Sequence, residues 1–303
     1  MNKHLLIVVI FFSIFSNAQE HEYLGFLKLP DSTFISYKVN FTEKEGLIKG
    51  YSYTDMNGDH ETKSSIVGRF NDRKNTLEFR EVSTIYTKSD ITELDFCYVY
   101  FTGKTRKLNG KAAVEGTFKS YYDDLTCCID GELSLNAADK IEKRTERFER
   151  LVAKSNKIAD STKQKIDMNQ FMSRFEDNRL KGGEKVNIIW NQDYLKLMIW
   201  DPGTVDGDII KITLNGKDIL SSYSTVKKQK ELELQLTEDV NTIIVTALNE
   251  GKEAPNTAKI KLSDGKGETI DLLSSLVVGE EVTLVFYKEK PQINKIKSSK
   301  ILF

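Results

Sequence analysis

The stretch Phe34-Ile35-Ser36-Tyr37-Lys38-Val39-Asn40-Phe41, followed through a turn at Gly46 by Leu47 to Tyr53, decides the fold class. Aromatic and β-branched residues alternate with polar ones, the period-two signature of a half-buried strand. A second turn follows at Asp55-Met56-Asn57-Gly58-Asp59, where Asn57-Gly58 predicts the two positive φ angles of a type I′ hairpin. The same pattern continues in Ser64–Phe70, Thr76–Glu81, Phe96–Thr102, Lys111–Lys119 and Gly131–Leu135. Short strands at near-regular spacing predict an antiparallel meander that curls into a barrel-like domain over residues 19–135.

The period then changes. Ile141, Phe148, Leu151, Val152 and Ile158 recur at helical spacing, among charges of alternating sign, after a candidate N-cap at Asn136. A second helical piece, Thr162 to Leu180, carries Ile166, Phe171, Met172 and Phe175 and ends at Lys181-Gly182-Gly183. Residues 136–183 therefore read as a helical linker. Strand patterns return in Lys185–Trp190, Leu195–Trp200, Asp208–Leu214, Asp218–Tyr223, Lys230–Leu236, Asn241–Ala247, Ala258–Leu262, Thr269–Leu273 and Glu281–Tyr287. With a second Asn-Gly turn at Asn215-Gly216, residues 184–289 read as a C-terminal β-sandwich domain. Residues 290–303 form a basic tail.

The first 18 residues read as a signal peptide. Lys3 supplies the positive charge, Leu5 to Phe15 the apolar run, and Ser16-Asn17-Ala18 the small-residue cleavage site. The mature chain is expected to begin at Gln19. No Cys follows the cleavage site, so a lipid anchor is not indicated, and no later stretch is long and apolar enough to be a transmembrane segment. The expected location is secreted or periplasmic.

Export makes a disulfide the default for the three cysteines. Neighbouring residues of a strand point to opposite faces, so Cys97 should pair with one of Cys127 and Cys128, not both. Zinc is not indicated: the C-x-x-C spacing is missing and the mature chain has only His21 and His60.

Lys plus Arg number 44 and Asp plus Glu 45, a balance that offers no field for nucleic acid. Standard catalytic signatures fail in turn. His21-Glu22 and His60-Glu61 lack the second His of a zinc-protease helix, and there is no G-x-S-x-G, P-loop or G-x-G-x-x-G. Asp55-x-Asn57-x-Asp59 opens like a calcium loop, but His60 stands where Gly is needed and Ile66 where Glu is needed, so it reads as a polar hairpin tip. Asp201-Pro202-Gly203-Thr204-Val205-Asp206-Gly207-Asp208 is more informative. Three carboxylates in one inter-strand loop, Asp201, Asp206 and Asp208, are the candidate ligands of a calcium ion, against the alternative of a turn whose Asp side chains cap backbone. Tyr121-Tyr122 and the pair Trp190 and Trp200 are read as sugar-stacking surface or as strand packing, with at least one Trp in the core.

Two groups of motifs resemble a known kind of protein. Asp206-Gly207-Asp208 through Asn215-Gly216-Lys217, then Ala247-Leu248-Asn249-Glu250-Gly251, then Pro255-Asn256-Thr257-Ala258 resemble a C-terminal domain of secreted two-domain β-rich proteins from Bacteroidota-type Gram-negative bacteria. Gly50-x-Ser52-x-Thr54, Gly68-x-Phe70, Leu77-Glu78-Phe79-x-Glu81 and Phe96-Cys97 look like the first domain of the same group. The resemblance supports export and a two-domain β layout, and it implies no catalytic residues. The leading expectation is a secreted, non-catalytic binding or scaffolding protein of the cell envelope or extracellular space, its ligand left open and a protein or glycan of the envelope the candidate partner. Three alternatives stand beside it: a calcium-supported carbohydrate-binding protein, a carrier of a small apolar ligand inside the first domain, and a hydrolase using paired carboxylates.

Overall fold

The computed structural model describes residues 19–71, 73–90, 96–108, 111–141, 143, 147, 150 and 178–288. The expected signal peptide, most of the expected helical linker and the basic tail lie outside them. The described chain is mainly β.

Eight antiparallel strands form the first unit: β1 (Gln19–Lys28), β2 (Phe34–Lys44), β3 (Leu47–Thr54), β4 (Thr62–Asn71), β5 (Thr76–Thr87), β6 (Tyr98–Leu108), β7 (Lys111–Tyr121) and β8 (Cys127–Ala137). Each pairs with the next, and β8 returns to β1, so the meander closes on itself as a barrel-like sheet. Inward positions carry Tyr37, Val39, Leu77, Phe79, Phe101, Phe118 and Leu133, all buried in one core. Outward positions on β5 carry Glu78 and Arg80, both exposed. Tight curvature needs close strand approach, and glycine permits it: a Cβ at Gly50 would overlap the Asn40 carbonyl, and one at Gly68 the Glu78 carbonyl. β1 was not separately legible in the strand pattern, although Tyr23, Leu24 and Leu27 are buried along it.

Residues 138–141 begin a helix directly after β8. The chain re-enters as a strand. The helical reading to Leu180 is therefore corrected at its end: β9 (Arg179–Lys181) pairs in parallel with β17 (Thr269–Leu276). The cause is burial, since Leu180 is wholly enclosed in the second core. The other strands are β10 (Lys185–Ile189), β11 (Tyr194–Trp200), β12 (Ile209–Leu214), β13 (Lys217–Ser224), β14 (Lys230–Gln235), β15 (Val240–Ala247), β16 (Asn256–Ser263) and β18 (Glu281–Tyr287). They fall into the orders β13-β12-β15-β18-β10 and β14-β11-β16-β17-β9. β15 and β16 alternate buried and half-buried or exposed residues along their length, and both rows of buried residues enter one core. Trp190 belongs to that core: it is 2% exposed, and its Nε1 donates to the Tyr194 carbonyl. It is not a sugar platform.

The two units share a strand. β5 pairs with β6 through its first half, then with β10 at Tyr86↔Ile188 and Thr87↔Asn187. Ile85 and Tyr86 sit in the second core, and the barrel sheet and half of the second unit form one 13-stranded sheet. Lys88, 3% exposed at its side chain, reinforces the junction with an ion pair to Glu184.

Candidate functional site

Two places bring chemistry together: a cavity at the open end of β1, and the loops that carry Asp201, Asp206 and Asp208.

The cavity follows from a register difference. β2 pairs with β1 along all of Gln19–Lys28, but β8 pairs with it only from Tyr23 onward. Gln19–Glu22 therefore extend past the last β8 partner, Ala137, where the chain turns into the helical residues 138–141. A space of about 1150 Å³ opens beside them. β1 supplies His21 and Glu22, β2 Asn40 and Phe41, β3 Lys49 and Tyr51, β4 Ser65 and Val67, β5 Val82, and the turn after β8 Asp139 and Lys140.

On the barrel-facing side of the same strands three rings stack. His21 and Tyr23 stack on Phe41 with centroids 5.1 and 5.9 Å away and rings within 28° and 9° of parallel. Burial holds the His21 imidazole below its ordinary pKa, with Glu43 pulling the other way. Burial raises the Tyr23 phenol, and the Asp139 carboxylate adds to the shift. Glu22 pairs with Lys38. Asn40 Oδ1 is buried with no hydrogen-bond partner among the described residues. At the far side Tyr51 packs against the second core. Lys63 lies beside it, Nζ 4.4 Å from the Tyr51 ring centroid and 5.4 Å from that of Tyr53, donating to the Thr269 carbonyl at 3.0 Å. Of these residues the sequence marked His21 and Glu22, and those only as an incomplete zinc-protease motif.

The loop carboxylates are placed by the motifs that carried the resemblance. Asp206 Oδ2 accepts from Lys252 N and Glu253 N at 3.0 and 2.8 Å. Asp208 Oδ2 accepts from Thr257 N at 2.8 Å, and Asp201 Oδ1 from Gly203 N at 2.7 Å. Asn249 bridges the loop, accepting from Ile209 N and donating to the Gly207 carbonyl. Asn256 donates to the carbonyls of Ile209 and Asn249. The motif residues thus tie three loops at one end of the second unit. Burial raises the Asp208 carboxyl, and the charges of Asp206 and Asp201 add to the shift, so the three lie within electrostatic reach of one another. Among the described residues no three His, Cys, Asp or Glu side chains are grouped so as to hold a metal ion between them.

Of the cysteines, Cys97 and Cys128 form a disulfide with Cα atoms 6.0 Å apart, and Cys127 is an exposed free thiol. Asp55 to Glu61 is longer than the expected two-residue turn. Asp55 and Asn57 take the positive φ values, and the Glu61 side chain accepts from Asn57 N and from the Tyr86 hydroxyl. Tyr121 lies edge-on to Tyr100 at 5.0 Å. Among the described residues no helix is long and apolar enough to cross a membrane. The chain matches no protein-family model, no curated protein and no solved structure.

Proposed function

We propose that this is an exported, non-catalytic binding protein that holds a polymer of the cell envelope, protein or glycan, in the cavity beside β1. The observation that carries the reading is the cavity itself. At about 1150 Å³ it has room for a stretch of such a ligand, being at the upper end of the roughly 300–1,000 Å³ of small-molecule sites. Its lining offers such a ligand charges of both signs at Lys49 and Asp139 and the aromatic face of Tyr51. The inside of the barrel is filled by Tyr37, Phe79, Phe101 and Phe118, which favours this cavity over a ligand held on the barrel axis. The second unit, which we read as a β-sandwich from its two sheets around one core, braces the wall through Tyr51 and β5.

The test compares the mature chain with Val82→Arg, a change at a 43% exposed cavity residue that should spare the core. Both are passed over a glycan array and over envelope extract with cross-linking. The reading expects one class of ligand to be retained by the parent chain and lost at least tenfold by the variant at an unchanged melting midpoint. Equal retention by the two proteins would overturn it.

A further inference from the structure

Four buried side-chain oxygens with no hydrogen-bond partner among the described residues lie at one end of the second unit: Asp201 Oδ2, Asp206 Oδ1, Asp208 Oδ1 and Asn256 Oδ1. Asp201 is 1% exposed, Asp208 2% and Asn256 0%. These are not loose side chains awaiting solvent. Each carboxylate has one oxygen fixed by backbone N–H, which leaves the other oriented and unused. The Asn256 amide nitrogen donates to two carbonyls, so its oxygen is likewise fixed and unused. Asp201 and Asp208 flank the same two residues, since Asp201 N donates to the Val226 carbonyl and Thr225 N to the Asp208 carbonyl. Asn256 directly precedes Thr257, whose N–H holds Asp208. A carboxylate oxygen removed from water with no donor is costly, and buried charge persists where a partner of opposite sign offsets it.

We propose that this end of the second unit binds a divalent cation, calcium before magnesium or zinc, with Asp201 Oδ2, Asp208 Oδ1 and Asn256 Oδ1 as side-chain ligands and the Asp206 charge beside them. Two carboxylates balance the charge of the ion, and an amide oxygen joins them. This differs from a three-carboxylate cage, which the structure does not form. The donor set is all oxygen and irregular. That suits calcium, which accepts flexible geometry, better than magnesium, which demands an octahedron, or zinc, which takes nitrogen and sulfur. Sites with few charges in extracellular modules bind calcium with dissociation constants of roughly 10⁻⁴–10⁻³ M, so millimolar ion is the relevant range.

Trp200, adjacent to Asp201, provides a direct probe. Terbium added to the full mature chain should show saturable emission sensitised through tryptophan and displaced by calcium. The melting midpoint should rise by several degrees in millimolar calcium relative to chelator, and magnesium should do less. Asp208→Asn and Asn256→Ala should abolish both responses. Superimposable melts of the parent chain with and without calcium, together with no saturable terbium emission, would overturn the assignment without recourse to any variant.

Discussion

The Tyr37 hydroxyl donates to Glu81 Oε1 at 2.8 Å inside the barrel, joining β2 to β5, strands that are not neighbours. Ser52 on β3 donates to the same oxygen at 2.6 Å, and Val99 N on β6 to Oε2 at 2.8 Å. One buried carboxyl therefore links four strands. Glu81→Leu strips three buried donors of their acceptor. At about 1–3 kcal/mol for each unsatisfied group, the loss should be at least about 3 kcal/mol. Glu81→Gln should cost about 1 kcal/mol, because the two hydroxyls can turn to accept from the amide. Urea unfolding at constant m checks both; equal costs would show that the network adds nothing beyond shape.

Lys63 predicts a rise of stability with pH. Burial holds its ammonium down at about 8, against the pull of Asp271 and Glu268, while the unfolded chain titrates near 10.5. Between those values the unfolded state binds more protons, so stability must increase as pH rises. Tyr37, Tyr53 and Tyr86 act oppositely: burial lifts all three above 10, so their contribution is lost once unfolded tyrosines ionise. The window is thus about pH 8 to 10, and the gain about 2 kcal/mol. Lys63→Met should flatten that slope; a slope unchanged by the substitution would place its origin elsewhere.

The disulfide should be worth about 3–4 kcal/mol in the chain-entropy account, given the separation of 31 residues between Cys97 and Cys128. Cys97→Ser should lose that amount, and Cys127→Ser should stay within about 0.5 kcal/mol, since its side chain is exposed. Alkylation of the native protein should label one thiol, at position 127; labelling at 97 or 128 would contradict the pairing.

Much of the strand order was legible, because alternation is local. Asn215-Gly216 does adopt two positive φ angles, as its dipeptide implies. Asn57-Gly58 does not, because Glu61 captures Asn57 N and draws out a longer loop. The run of β5 beyond Glu81 was invisible for a different reason. β4 pairs with it through register shifts that break the simple alternation, and β10, a hundred residues on, adds a second partner at Tyr86. The carboxylate loop could be seen, since its members lie within eight residues, but Asn256 enters it from a distant turn. The cavity could not be seen at all: it is made by where β8 stops along β1, and register is a property of pairs.

The shared strand predicts that the two units stay together when the chain between them is cut. Tyr86 and Ile188 are fully buried where β5 meets β10, and separation would expose both. A protease site inserted between residues 141 and 178 should yield two fragments that co-elute and melt as one. Tyr86→Ala should cost about 3–5 kcal/mol. Fragments that separate without denaturant would show that the junction is weak.

The cavity beside β1 is the central claim, and site-specific cross-linking tests it most directly. A photoactivatable residue is placed at Val82, on the cavity wall, and in a second protein at Lys217, on the strand β13 at the sheet edge. Each is irradiated in the exported full chain within its own envelope. The account predicts a discrete adduct from position 82, competed by excess unlabelled protein, and no such adduct from position 217. Equal adducts from both positions, or none from position 82, would contradict it.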